Sequence, residues 1–186
     1  MRYFFGFLVA VGLIIFIIVL MFGGGGSHQP ITPSNIKPLD SYAGTDAEVS
    51  MTITGPVIAD QDHKSLRITV GTNSVVYQQF DGYDGKVVNS KVFHNSEASY
   101  RTFLRALAYV GFANGNNDKS LQNESGRCSL GKIFSFDMRD DGNHLEHYWI
   151  TSCGGPKTFL GNSIATISLF EAQVPNYGSL TSNLNL

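Results

Sequence analysis

Residues 131–152 have the sequence GKIFSFDMRDDGNHLEHYWITS, which predicts a β-hairpin. Aromatic and β-branched side chains, which favour strands, are concentrated in residues 131–137 and 145–152. Between them lies Asp141-Gly142, a dipeptide that favours a two-residue hairpin turn because both positions tolerate a positive φ. We therefore expect these two segments to pair as antiparallel strands.

The two cysteines flank this hairpin. With a two-residue turn at Asp141-Gly142, the numbers of opposed residues add up to 283, and those of Cys128 and Cys153 add up to 281. A longer loop or a bulge makes up a difference of two positions. Two cysteines that meet in an oxidising compartment form a disulfide by default. We predict a Cys128–Cys153 disulfide, with two alternatives: a Cys153 nucleophile with a histidine base, and a pair of free thiols.

Alternating apolar residues upstream of the hairpin predict an antiparallel meander. Residues 49–53, 66–70 and 75–77 place apolar side chains on one face, and the sequence DGYDG at 81–85 is typical of a turn. Residues 86–94 offer a further strand after that turn. The strands upstream of the hairpin therefore form a sheet with one buried face.

One helix is predicted at residues 96–110, where Tyr100, Phe103, Leu104 and Leu107 follow helical spacing. Downstream of the hairpin, apolar residues in 164–174 favour a short second helix, with a final strand as the alternative. The polar segment 114–127 is expected to be a surface loop. Together these elements predict an α+β fold: an antiparallel sheet with one packed helix and a possible second short C-terminal helix.

The first 22 residues differ from the rest, since 19 of them are apolar. Residues 3–22 carry no charge, and 20 helical residues span about 30 Å, the thickness of a bilayer core. A cleaved signal peptide has a shorter apolar region and an A-x-A-like site, whereas GGGGS follows here. We expect an uncleaved transmembrane signal anchor at 1–22, with a cleaved signal peptide and a buried soluble helix as alternatives.

The positive charges predict the orientation of this anchor. Arg2 and the terminal amine precede it, and the first basic residue after it is Lys37, which places the N-terminus in the cytoplasm. The chain is then a single-pass plasma-membrane protein. Its predicted parts after the anchor are a Gly/Pro-rich stalk at 23–45, an extracytoplasmic α+β domain at 46–177 and a frayed tail at 178–186.

Histidines and cofactor motifs provide no catalytic or metal signature. His144 and His147 are three residues apart on a predicted strand, so their imidazoles point to opposite faces rather than to one metal ion. Phosphate-binding, dinucleotide-binding and nucleophile-elbow motifs are absent from the sequence. We predict no catalytic residue, no cofactor and no metal.

Acidic residues occur in two Asp-Gly turns. Asp81 and Asp84 belong to one, and Asp140 and Asp141 belong to the other. Turn chemistry accounts for all four, because aspartate stabilises turns through hydrogen bonds to its own backbone. Calcium ligands and paired catalytic carboxylates remain as alternatives, since acids distant in sequence can meet in space.

Three aromatic residues are candidate ligand contacts: Tyr83, Trp149 and Tyr177. Each offers a ring on which a glycan can stack, although core packing is the competing interpretation for Trp149. Asn123 begins a formal glycosylation sequon in the predicted loop. The net charge of −2 provides no basic surface for nucleic acid.

These features predict a membrane-tethered extracytoplasmic domain with a binding or structural role in the cell envelope. Its expected partners are the membrane, through residues 3–22, and an envelope protein or glycan. The layout resembles that of type IV pilins and pseudopilins, which implies an assembly subunit as one alternative. The chain departs from them because its apolar run lacks an early acidic residue and residues 23–33 interrupt the helix. The other alternative is an envelope-polymer hydrolase that uses dispersed carboxylates.

Overall fold

A computed structural model describes residues 37–184 and 186. The predicted membrane span at 3–22 and residues 23–36 of the predicted stalk lie outside the described residues. The described end of the predicted stalk instead belongs to the domain, because Leu39, Tyr42 and Ala43 are buried in its core. Within the described part of the chain, the longest helix has 13 residues, and none is long and apolar enough to cross a membrane.

Six antiparallel strands form one sheet, as the alternation predicts. In spatial order the sheet runs β4-β3-β2-β1-β5-β6, so β1 is paired on both sides. The first four strands are the predicted meander, and the predicted hairpin joins it along β1. The strands are β1 (Glu48–Thr54), β2 (Lys64–Gly71), β3 (Ser74–Asp81), β4 (Lys86–His94), β5 (Ile133–Asp140) and β6 (Asn143–Thr151).

Three α-helices lie within the described residues: α1 (Glu97–Tyr109), α2 (Ser163–Glu171) and α3 (Tyr177–Thr181). The Ser96 hydroxyl caps α1 by accepting a hydrogen bond from the Ser99 amide, and Gly111 follows the helix with a φ of 80°. Single 3-10 turns occur at Leu39–Tyr42, Asp60–Asp62 and Lys119–Leu121. The predicted helix at 96–110 is confirmed, and helix is correct for the second segment.

The main core lies between the helices and one face of the sheet. The four apolar residues predicted to line α1 are all buried. Phe103 of α1 packs edge-to-face on Phe170 of α2 at 5.3 Å, and Phe170 also faces Phe136 of β5. Aromatic side chains bury large areas, so this cluster provides a major share of the apolar burial.

The predicted hairpin turn and the predicted disulfide are both confirmed. Asp141 and Gly142 have φ values of 49° and 76°, the positive values that this type of turn requires. A shift of one residue then occurs between Met138 and Arg139, so that opposed residue numbers add up to 284 along most of the hairpin. Cys128 and Cys153 form the disulfide, with their Cα atoms 5.8 Å apart.

Two details differ from the sequence-based expectations. A frayed tail is predicted at 178–186, but Tyr177–Thr181 form α3, and the Leu180 carbonyl ties this helix to β3 by accepting a hydrogen bond from the Gln79 side-chain amide at 3.0 Å. Of the apolar residues in 164–174, Phe170 and Val174 are buried, whereas Ile164 is 79% exposed. Thr166, four residues before Phe170, shares the buried face of α2.

Gly115 is a position where the packing tolerates no side chain. It forms a β-bridge with Phe159, and a Cβ atom at this position overlaps the Tyr148 ring. We expect Gly115→Ala to lower the free energy of unfolding by about 3 kcal/mol, because overpacking forces the backbone or the ring to move. Urea denaturation of the full-length chain measures this change.

Gly178→Ala is the matched control. Gly178 lies in α3, and a Cβ atom at this position meets no neighbour within 4 Å. The unfolding free energy of this variant should stay unchanged or rise by up to about 1 kcal/mol, since alanine favours a helix over glycine. Equal effects of the two substitutions would contradict the close approach of Gly115 to Tyr148.

Candidate functional site

A cleft of about 320 Å³ opens at the end of the sheet where β1 ends and β5 begins. We call it the Tyr83 cleft. The β3–β4 turn supplies Tyr83 to its lining, and the 114–127 loop supplies Glu124. The lining residues are Thr54, Gly55, Val57, His63, Tyr83, Glu124, Ser125, Gly126, Cys128 and Ile133.

Tyr83 is held in a fixed position although its side chain is 53% exposed. Its hydroxyl donates to the Ile58 carbonyl at 3.0 Å and accepts from the Ile58 amide at 3.1 Å. Its own amide donates to the Asp60 carboxylate at 2.8 Å. Because the hydroxyl is already paired with the backbone, the ring surface is what Tyr83 offers to a ligand.

The His63 ring packs against one face of the Tyr83 ring. The two rings stack with their centroids 4.0 Å apart and an interplanar angle of 14°. His63 is buried, and its Nδ1 lies 3.0 Å from the Pro56 carbonyl, which requires a proton on Nδ1. The stack leaves one face of the Tyr83 ring against protein and pre-orders the remainder for contact with a ligand.

Glu124, which also lines the cleft, belongs to an ionic cluster with His147 and Asp137. His147 Nδ1 lies 2.8 Å from the Asp137 carboxylate, and its Nε2 lies 3.4 Å from the Glu124 carboxylate. These hydrogen bonds, first to Asp137 and then to Glu124, raise the pKa of His147 to about 10. The hydrogen bond to His147 lowers the pKa of Glu124. At neutral pH the cluster is a protonated imidazole between two carboxylates.

The cluster fastens the 114–127 loop to the sheet, since Glu124 belongs to the loop while Asp137 and His147 are opposed on β5 and β6. Sequence reasoning missed it because a hairpin without a bulge opposes Asp137 to residue 146. The observed bulge moves His147 into that place. Glu124 is distant from both partners in the chain and has no sequence signal of its own.

The three aromatic residues predicted as ligand contacts do not meet in one site. Trp149 is fully buried under the 114–127 loop, where its indole N–H donates to the Leu121 carbonyl at 2.8 Å. Tyr177 packs edge-to-face on Tyr77 at 6.4 Å, and burial raises its pKa. Neither residue lines the Tyr83 cleft, so Tyr83 is the one predicted contact in it.

The two acidic turns lie at opposite ends of the sheet, because the β3–β4 turn lies beside the end of β1 and the β5–β6 turn beside its start. Asp81 forms an ion pair with Lys64 at 2.8 Å. The carboxylates of the two turns therefore do not converge. Among the described residues, no group of three or more His, Cys, Asp or Glu side chains is arranged to hold a metal ion.

A second cleft, of about 280 Å³, lies between strands β3 and β4 and residues 180–184. Lys64 and Asp81 line it but neutralise each other as an ion pair. It contains no ring held in the manner of Tyr83. The Tyr83 cleft is therefore the stronger candidate for a ligand site.

The His147 cluster predicts a pH-dependent stability. A histidine whose pKa is raised on folding stabilises the protein fully below its unfolded pKa of 6.5, and this stabilisation is lost as the pH rises to about 10. We expect the unfolding free energy of wild type relative to His147→Gln to fall steadily over this interval. Urea denaturation at several pH values measures the difference.

His144→Gln is the control for this titration, because His144 is exposed on the same strand. Its stability should follow that of the wild type across the whole pH interval. Parallel profiles for wild type and His147→Gln would show that the imidazole gains no proton affinity on folding, which would contradict the cluster.

Comparison of the chain with protein-family models, with curated proteins and with solved structures finds no match. A function is therefore inferred from the chain's own residues, and the Tyr83 cleft is where they offer a ligand a preformed surface.

Proposed function

We propose that this chain is a membrane-tethered extracytoplasmic domain that binds a cell-envelope glycan in the Tyr83 cleft. In this proposal residues 3–22 anchor it in the plasma membrane with the N-terminus in the cytoplasm, and the stalk ends before Leu39, because Leu39, Tyr42 and Ala43 are buried in the domain core. The observation that carries the binding role is the Tyr83 ring, which is half exposed yet fixed by Ile58, Asp60 and His63.

The chemistry of the cleft favours a sugar. The face of an aromatic ring is electrostatically negative and attracts the polarised C–H groups of a pyranose. Because Tyr83 is already immobilised, little side-chain entropy is lost when a ligand packs on it. Thr54 and Ser125 supply hydroxyl groups for sugar hydrogen bonds, and Val57 and Ile133 supply apolar walls.

The disulfide supports the proposed extracytoplasmic location of the domain. Disulfides persist in oxidising compartments and are rare in the cytosol, so the Cys128–Cys153 bridge agrees with a domain outside the cytoplasm. The orientation proposed for the anchor places this domain on that side of the membrane.

Binding is favoured over glycoside hydrolysis by the state of the acidic residues. A glycosidase needs one carboxylic acid and one carboxylate that both reach the scissile bond. Here Glu124 and Asp137 are both engaged with His147, and the hydrogen bond to His147 holds the pKa of Glu124 low. Glu124 is therefore poorly suited to donate a proton at neutral pH.

Tyr83→Ala tests the binding role. Removal of the ring should weaken binding of the full-length chain to insoluble envelope polysaccharide by roughly tenfold, since an aromatic contact contributes about 1.4 kcal/mol. Co-sedimentation with the polysaccharide measures the affinity, and thermal unfolding shows whether the variant remains folded.

Tyr109→Ala is the matched control, because Tyr109 is 94% exposed at the end of α1 and lies outside the cleft. Its binding should equal that of the wild type. A folded Tyr83→Ala variant that binds as well as Tyr109→Ala would refute the role of the cleft.

The topology makes a separate prediction. A protease added to intact cells should digest the domain and leave a short membrane-bound fragment that contains the N-terminus, because only residues 1–22 are shielded by the proposed arrangement. A cytoplasmic marker protein should survive the same treatment. Protection of the domain until the cells are lysed would reverse the proposed orientation.

A further inference from the structure

The Tyr83 cleft combines an aromatic ring with a negative charge. Glu124 is the one acidic residue among its ten lining residues, and none of the ten is lysine or arginine. The lining histidine, His63, is buried against the Tyr83 ring. A ligand that enters the cleft therefore meets a carboxylate and the exposed part of an aromatic ring.

The Glu124 carboxylate is held in place but keeps room for a further hydrogen bond. One of its oxygens lies 3.4 Å from His147 Nε2, and the other accepts from the Ser135 hydroxyl at 3.5 Å. Both contacts are long, whereas a carboxylate has about four acceptor positions. The side chain is 28% exposed. Glu124 can therefore accept a hydrogen bond from a ligand without leaving the ionic cluster.

The acidic groups around the cleft outnumber its cation. The ionic cluster of Glu124 contains two carboxylates and one imidazolium, so it retains one negative charge. Asp60 and Asp84 lie beside Gly82, in the turn that carries Tyr83. Neither of these two aspartates forms an ion pair within the described part of the chain. The field of these groups favours a positively charged ligand.

Nearby cations do not reverse this balance. Arg127 and Lys132 each adjoin a lining residue in the sequence, but neither lines the cleft. The Arg127 guanidinium lies 6.0 Å from the centre of the Trp149 ring. Lys64 forms an ion pair with Asp81 at 2.8 Å. The carboxylate of Glu124 is therefore the charge that a ligand in the cleft contacts.

An ammonium group suits this combination. A cation is attracted to the face of an aromatic ring, and an ammonium group has three hydrogens to donate to a carboxylate. A neutral N-acetyl group gains no such charge attraction. An acidic sugar is repelled, because like charges that face each other in a partly buried site are destabilising.

We propose that the glycan bound in the Tyr83 cleft is an amino-sugar polymer whose amino groups are free and protonated, and that Glu124 selects them. This inference rests on the proposed glycan-binding function and names its substrate class. A lysine side chain has the same ammonium group but lacks the pyranose C–H face for Tyr83. It also lacks the hydroxyl partners for Thr54 and Ser125, so the cleft suits a sugar better than a basic peptide.

Two oligosaccharides of equal length, one of glucosamine and one of N-acetylglucosamine, test this selectivity. Isothermal titration of the full-length chain in a mild detergent and a mildly acidic buffer keeps the sugar amines protonated. The glucosamine oligomer should bind about tenfold more tightly, because it alone gains the attraction of ring and carboxylate. This preference should shrink as the salt concentration rises, since salt screens charges at a partly exposed site.

Glu124→Gln should abolish the preference by weakening the glucosamine oligomer alone. His147→Gln is the matched control, because it breaks the same contact between loop and sheet but leaves the Glu124 carboxylate, so the preference should persist. Glu97→Gln removes an equal charge on α1, outside the cleft, and should bind both oligomers as the wild type does. Equal loss of preference in Glu124→Gln and His147→Gln would attribute it to the position of the loop and overturn the proposal.

The outcomes separate this inference from the proposed function. Equal wild-type affinities for the two oligomers, both weakened by Tyr83→Ala, would overturn the selectivity for amines and leave glycan binding intact. Absence of binding to either oligomer would overturn the selectivity as well. A lysine peptide of equal charge that binds as tightly as the glucosamine oligomer would show that the cleft takes a basic peptide, which also contradicts the proposal.

Discussion

The pairing of β5 with β1 is the constraint on which the rest of the structure depends. It joins the C-terminal hairpin to the N-terminal meander and extends one apolar face across both, with Met51 opposite Phe136. Phe136 then reaches the aromatic cluster beneath α1 and α2. The same pairing brings the end of β1 beside the start of β5, where the Tyr83 cleft opens. Without this pairing, the hairpin would contribute neither to the shared core nor to the lining of the cleft.

The side of the β5–β6 hairpin away from the helices has a smaller packing layer of its own. Trp149 is buried there by the 114–127 loop, and Arg127 lies 6.0 Å above its ring. The loop is held at Leu121 by the Trp149 indole N–H and at Glu124 by His147, and Cys128, which directly follows it, is held by the disulfide. A segment with little regular secondary structure is thereby fixed at three points. The loop residues that line the cleft, including Glu124, therefore have a defined position.

Local patterns in the sequence were sufficient for the hairpin turn, α1, the strand alternation and the disulfide. They were insufficient where a shift of one residue in the strand register determined which side chains lie opposite each other. The bulge beside Met138 exchanges residue 146 for His147 opposite Asp137, and this exchange creates the ionic cluster. Likewise, the hairpin pattern predicts a strand around Trp149 but does not identify the remote loop that covers it. Tyr83 was predicted as a contact, but its fixation depends on Ile58 and His63, which no local pattern connects to it.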